Sequence, residues 1–254
     1  KVQSFSLPKA EHLADLPALI AELNFINLPA IKILLTGTGK VAKGAKEILD
    51  AMNIKSVSIS AYLTESFDEP VYCKIDVLDY NKRIDGQVLT NSDFYNNPSA
   101  YVSNFMRFAK VTDYFIAGHF FGDGSPYLFT REDAKSDQFN IRLVADISCD
   151  IDGPVASTLR ASTIADPIYG YDPETSTEVA YTSSDAITVM AVDNLPCELP
   201  KDASDGFGDL FLTHVIPAFF NGDKDGILAR AAMTNAQELT PRYEYLQGYV
   251  NGEE

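Results

Sequence analysis

A short apolar run, Ile31, Ile33, Leu34 and Leu35, reaches a glycine turn, and a helical pattern starts at once. The stretch IKILLTGTGKVAKGAKEIL therefore predicts a strand over about residues 31–36 and a helix over about residues 41–52. Upstream, Leu13, Leu16, Ile20 and Leu23 recur at helical spacing within residues 9–24, and Pro17 inside that pattern is expected to kink or split the helix. Residues 55–60 read as a second strand. Residues 61–96 are irregular apart from a short strand at VYCKI, 71–75. Asn97 and Pro98 suit the start of a helix over 97–110, with Val102, Phe105, Met106 and Ala109 on one face. Three further buried-strand patterns follow at 113–118, 141–148 and 186–193. Beyond Pro200 the pattern turns helical. Residues 202–222 carry an apolar face of Phe207, Leu210, Phe211, Val215 and Phe219, with Asp202 or Ser204 as cap and a kink at Pro217, and two short helical pieces follow.

Strands separated by helical or long connections predict an α/β fold, a doubly wound parallel sheet of the Rossmann type. In such sheets a ligand sits beyond the carboxyl ends of the strands. The segments to inspect are therefore 37–40, 118–121, 146–152 and 193–196. The first holds a recognisable pattern. Gly37, Gly39 and Ala42 fill the three small positions of G-x-G-x-x-G/A. Gly37 makes the tight turn, Gly39 leaves room for a pyrophosphate to approach the backbone, and Ala42 lets the helix pack closely. The helix N-terminus adds unpaired N–H groups and a positive dipole end.

Composition narrows the partners. A chain of 254 residues, 46% hydrophobic, has ample core for one or two domains. Its formal charge of −16 argues against nucleic acid and against an anionic membrane surface. With no apolar run of 18 residues and no signal peptide, a soluble cytoplasmic protein is expected. The three cysteines form no C-x-x-C pair and the three histidines are scattered, so no metal site is expected and the thiols are read as reduced and mostly buried.

GTGKVAKGAKEIL resembles the glycine loop of the saccharopine dehydrogenase and lysine–ketoglutarate reductase family, cousins of alanine dehydrogenase and the transhydrogenase nucleotide domain. YFIAGHFFGDGSPYLFT, VADISCDIDG and VMAVDNLPCELPKDAS resemble later segments of the same family in the same order, so the resemblance covers about residues 30–222. It implies three parts: 1–29, a linker and helix following a preceding domain; 30–200, a dinucleotide-binding domain; 201–254, a helical tail belonging to a second, mostly absent domain. The chain's start at Lys1 fits the loss of an upstream segment.

The resemblance also implies roles. Gly37, Thr38, Gly39, Lys40 and Val41 would hold the pyrophosphate, and His119 and Phe120 would border the cofactor. Ile147, Ser148 and Asp150 would lie near the nicotinamide half, while Val192, Asp193, Asn194 and Leu195 would close over it. Asn194 stands where the family more usually has His. The family's acid and base fall in the missing part, so no catalytic residue is assigned, with Asp193 at most in a supporting role. Asp150 and Asp193 also read as strand-end caps. The implied activity is an NAD(P)-dependent oxidoreductase linking saccharopine with lysine and 2-oxoglutarate. The alternatives are an alanine dehydrogenase-like enzyme or a non-catalytic dinucleotide-binding or assembly module. The expected partners are a small amino-acid substrate and either the missing domain or a second copy packed on the C-terminal helices. NAD is slightly preferred over NADP, because no arginine offers to bind a 2′-phosphate and SISAYLTES carries no acid before Glu65.

Overall fold

The computed structural model describes residues 7–88 and 90–253; residues 1–6, part of the expected 1–29 segment, Leu89 and Glu254 lie outside the described residues. The chain divides into two compact units, residues 1–198 and residues 199–254.

The first unit is built on an eight-stranded sheet. Its strands are β1 Lys32–Thr36, β2 Lys55–Ser56, β3 Val71–Ile75, β4 Tyr114–Ala117, β5 Leu143–Asp146, β6 Ile168–Asp172, β7 Thr177–Val179 and β8 Ile187–Met190. They lie in the order β2-β3-β1-β4-β5-β8-β6-β7. The first six in that order are parallel, and β6 and β7 add an antiparallel edge. The α/β, Rossmann-like fold expected from the sequence is thus the observed one.

Successive residues of the central strands feed two cores. Ile33, Leu35 and Tyr72 pack on one face with Ala42 and Leu49 of the helix α2, Lys40–Ala51. Leu34, Cys73, Ile75, Phe115, Ala117, Val144 and Val189 pack on the other, among Phe105, Phe108 and Phe129. Burial on both faces is why these strands read as continuous apolar runs rather than as alternating ones.

Local signals were redistributed in several places. The helix expected over 9–24 begins only at Leu16: helix α1, Leu16–Leu23, is capped by Asp15, whose carboxylate accepts from the Ala18 amide at 3.1 Å. Pro17 sits in its first turn, where a missing N–H costs nothing, so it starts the helix instead of kinking it. The strand expected over 55–60 stops at Ser56. Ser58 caps a short helix, α3 Ile59–Thr64, by accepting from the Ala61 amide at 3.2 Å. The helix expected over 97–110 is broken into a 3-10 turn, Pro98–Ala100, a short strand, Tyr101–Ser103, and a helical turn, Met106–Ala109. Pairing of that strand with Asn81–Arg83 overrides the local preference. The antiparallel pair β6–β7 had no counterpart in the sequence reading.

In the second unit a helix, α4 Pro200–Leu210, widens into a π-helical turn, Phe211–Val215, and resumes as α5, Ile216–Phe220. The widened turn immediately precedes Pro217, which has no N–H to give and crowds the carbonyl four residues back. Pro200 opens the helix without a side-chain cap at Leu199, so Asp202 and Ser204 lie inside the helix rather than at its cap. Phe207, Leu210, Phe219 and Phe220 are exposed, and Phe207 stacks on half-buried Phe211 with ring centroids 5.8 Å apart.

Candidate dinucleotide site

Strand register sets the site. Thr36 pairs with Ile75 on one side and with Ala117 on the other, and Ala117 pairs with Asp146. The residues that leave the sheet next, Gly37, Asp76, Gly118 and Ile147, therefore emerge side by side along one edge. The Gly37 amide donates to the Ile75 carbonyl at 2.9 Å, which holds the glycine turn against the end of β3.

Each small residue of the loop has a distinct neighbourhood. Gly37 adopts φ +102°, a conformation open to glycine and strained for other residues. A Cβ on Gly118 would meet the backbone of Ala42 at 3.3 Å, so α2 packs closely on the sheet edge at Ala42, which is fully buried. Gly39 is different. It is the N-cap of α2, with φ −77°, and a Cβ there would meet nothing within 4 Å. The protein's own packing does not require glycine at that point.

A cleft of about 410 Å3 lies over this edge. Gly37, Thr38, Gly39, Lys40, Val41, His119 and Phe120 all line it, so seven of the residues named from the sequence come together. Gly118, from the inspected segment 118–121, lines it too, as do Asp76, Val77, Tyr80 and Tyr95, which were not foreseen. Val41 and Phe120 are solvent-exposed apolar side chains at this cleft, 49% and 76% accessible, suited to lie against a planar ring.

His119 is the most constrained polar group here. Its Nδ1 lies 2.9 Å from Thr36 Oγ1 in the buried sheet edge. Its Nε2 is buried and has no hydrogen-bond partner. Burial pushes the imidazole down to about 4, only partly offset by the Asp146 carboxylate, so the ring is neutral at pH 7. A neutral ring with Nδ1 engaged leaves Nε2 as an orphaned buried group, of the kind a ligand satisfies.

The other expected residues do not line the cleft. Ile147 and Ser148 donate their amides to the Ala117 carbonyl at 3.0 and 3.2 Å. Asp146, fully buried, organises the loop that follows: Oδ1 accepts from Ser148 Oγ at 2.5 Å and from the Cys149 amide at 3.1 Å, and Oδ2 accepts from Thr158 Oγ1 at 2.6 Å. The capping role read for Asp150 falls to Asp146. Asp150 is half-buried, and burial, then Asp146, raises its carboxyl above the usual range. At the end of β8, the Cys149 thiol donates to the Ala191 carbonyl at 3.1 Å and Val192 bridges to Ser162. Asp193 and Asn194 are exposed, and Leu195 opens a 3-10 turn, Leu195–Glu198.

Among the described residues no group of three or more His, Cys, Asp or Glu is placed to hold a metal ion, and no helix is long and apolar enough to cross a membrane. Cys73 is buried, Cys149 half-buried and Cys197 exposed, all three as free thiols.

No protein-family model matches the chain. Individual relatives do. The chain is 25% identical over 92% of its length to the mitochondrial alpha-aminoadipic semialdehyde synthase of Rattus norvegicus, 26% over 84% to the alpha-aminoadipic semialdehyde synthase of Arabidopsis thaliana, and 26% over 92% to the mitochondrial enzyme of Bos taurus. It spans only 22–28% of the length of these relatives. That likeness supports the resemblance to the lysine–ketoglutarate reductase and saccharopine dehydrogenase family.

Proposed function

We propose that this chain is the nicotinamide-dinucleotide-binding part of an oxidoreductase of lysine metabolism, one that carries out reversible hydride transfer at the secondary-amine carbon of saccharopine and so links it with lysine and 2-oxoglutarate. The observation that carries the reading is the cleft over the sheet edge. It combines a positive-φ glycine turn at Gly37, an open glycine at Gly39 that leaves room for a group to approach the backbone, and the N-terminus of the 12-residue helix α2. The orphaned His119 Nε2 in the same cleft fits a bound polar ligand.

The loop 37–41 would hold the pyrophosphate through backbone N–H groups and the helix dipole, with the Lys40 ammonium as a further positive group. Val41 and Phe120 would cover apolar ring surface, and neutral His119 would accept a hydrogen bond at Nε2. Asp146 would keep the loop 147–158 in place beside them. When bound, the nicotinamide supplies hydride transfer. His119 is too weak a base to serve as the acid–base group at neutral pH, which agrees with the expectation that the family's acid and base lie elsewhere. The chain on its own is therefore expected to bind cofactor and to turn over saccharopine poorly.

The test is a thermal-shift titration of the 254-residue chain with NAD+, NADH, NADP+ and NADPH. A ligand that binds only the folded state raises the midpoint as its concentration exceeds its Kd. A concentration-dependent shift with at least one supports the reading. No shift with any of the four up to about millimolar concentration, where even a weak site of Kd near 0.1 mM would register, overturns it in favour of a non-catalytic module.

A further inference from the structure

In a doubly wound sheet a dinucleotide lies across the point where the strand order reverses, one nucleoside on either side. Here that point falls between β1 and β4. The cleft is lined by residues that follow β1, β3 and β4 and, among the described residues, by none that follows β5 or β8. It therefore takes the half of the ligand on the β3 side of the glycine loop, which is the adenosine half. Tyr80, Tyr95 and Phe120 give that side an aromatic lining.

We propose that His119 reads the base of the ligand: its Nε2 accepts from the 6-amino group of the purine, with Thr36 as the positioning residue that sets the tautomer, so that the site selects a 6-aminopurine dinucleotide over the 6-oxopurine analogue. This rests on the dinucleotide reading above. His119 lines the cleft, is only 8% accessible, and its Nε2 is a buried nitrogen with no partner. The other ring nitrogen, Nδ1, lies 2.9 Å from Thr36 Oγ1, and that hydroxyl lies 3.5 Å from the Ile116 carbonyl. A carbonyl only accepts. The arrangement that joins all three groups has the hydroxyl donating to Ile116 and Nδ1 donating to the hydroxyl, which leaves Nε2 unprotonated and free to accept.

The chemistry of the base matches that acceptor. The base of an adenine nucleotide carries its N–H donors on the 6-amino group. Hypoxanthine has an oxo oxygen at the same place, so two acceptors would face each other in a buried site. The surroundings suit a base edge better than a sugar. His119 meets the buried Tyr80 ring edge-on, with centroids 6.2 Å apart, and Tyr80 in turn meets Phe105 at 6.4 Å. Aromatic walls favour a planar ring. A buried polar group that the wrong ligand leaves unpaired is what allows a site to reject that ligand.

The experiment is isothermal titration of the wild-type chain, His119→Phe and Thr36→Val. The probes are whichever of NADH and NADPH the wild type binds, and that dinucleotide's hypoxanthine analogue, which carries an oxo group in place of the 6-amino group. The wild type is expected to bind the adenine form about tenfold or more tightly than the analogue. His119→Phe keeps a ring against Tyr80 and removes both nitrogens, so it is expected to bring the ratio close to one, with the loss falling on the adenine form. Thr36→Val keeps the imidazole and frees its tautomer. It is expected to lower the ratio as well, and it carries the test if His119→Phe does not fold. Equal affinity of the wild type for both forms overturns the proposal. So does a variant that weakens both forms together and leaves their ratio fixed, the mark of a purely structural role. Binding of no dinucleotide by the wild type is the failure of the dinucleotide reading itself, and this proposal falls with it.

Discussion

A Cβ placed on Gly37 would lie 2.4 Å from the carbonyl oxygen of Gly118: the turn after β1 and the turn after β4 touch through their backbones. Gly37 is therefore required by the protein's own packing, whereas Gly39 has no neighbour within 4 Å of the same test position. Gly37→Ala must move backbone and also adopt φ +102°, so it is expected to cost about 2–4 kcal/mol or to prevent folding. Gly39→Ala meets no strain and is expected to change stability by less than about 1 kcal/mol, while weakening dinucleotide binding by about tenfold or more. Urea unfolding of both variants, with calorimetric titration of whichever folds, checks the pair. Equal stability losses would show that the division of roles is wrong.

His119 makes stability depend on pH in a defined window. Its folded-state value of about 4 lies below the ordinary 6.5, so between those values the unfolded chain binds a proton that the folded chain refuses. The stability this gives is fully present above about pH 6.5 and is lost as pH falls toward about 4, on the order of 3 kcal/mol in all. Carboxylates titrate in the same range, so the measurement is a difference. Denaturant unfolding of wild type and His119→Asn at several pH values is expected to give a shallower slope for the variant between pH 4 and 6.5. Parallel slopes would mean the imidazole is not held neutral by burial.

Asp146 is a buried acceptor for three donors on one loop. Asp146→Ala leaves the Ser148 and Thr158 hydroxyls and the Cys149 amide without that partner, and is expected to cost about 2–5 kcal/mol. Ser148→Ala should cost less, about 1–2 kcal/mol, because the Cys149 amide still donates to the same oxygen, and Thr158→Ala more than Ser148→Ala, because it takes away the hydroxyl that donates to Oδ2. Limited proteolysis should place the new cleavage sites of Asp146→Ala within 147–158. Cleavage elsewhere first would assign the loop's order to other contacts.

The thiols should react in the order of their surroundings. Cys197 is exposed. Burial raises the Cys149 thiol, which also donates to Ala191, and pushes buried Cys73 up to about 11. With an aromatic disulfide reagent near pH 8, Cys197 is expected to label first, Cys149 more slowly, and Cys73 only on unfolding. Mass spectrometry of timed samples reads the order, and early labelling of Cys73 would contradict the packing of β3.

The strand–turn–helix from Lys32 to Ala51 was legible in the amino-acid order because its determinants are local: an apolar run, two glycines, and a small residue at Ala42 where the helix meets the sheet. The parallel strands around it were legible for a related reason, since burial on both faces leaves uninterrupted apolar stretches. The strand at 71–75 was legible too, but the segment 97–109 was not, because hydrogen bonding to a distant partner decided it. Tyr101–Ser103 became a strand by pairing with Asn81–Arg83, against a local pattern that favours a helix.

The cleft divides in the same way. The glycine loop follows from sequence, as does the presence of His119 at a strand end. What only the tertiary structure decided is which residues face that loop. Strand order put β3 rather than β2 beside β1 and so carried Asp76 to a glycine turn almost 40 positions earlier in the chain. Burial then set the charge state of His119 and left its Nε2 without a partner. Pairing between distant strands and desolvation of a side chain are properties of the assembled sheet, and no window of sequence contains them.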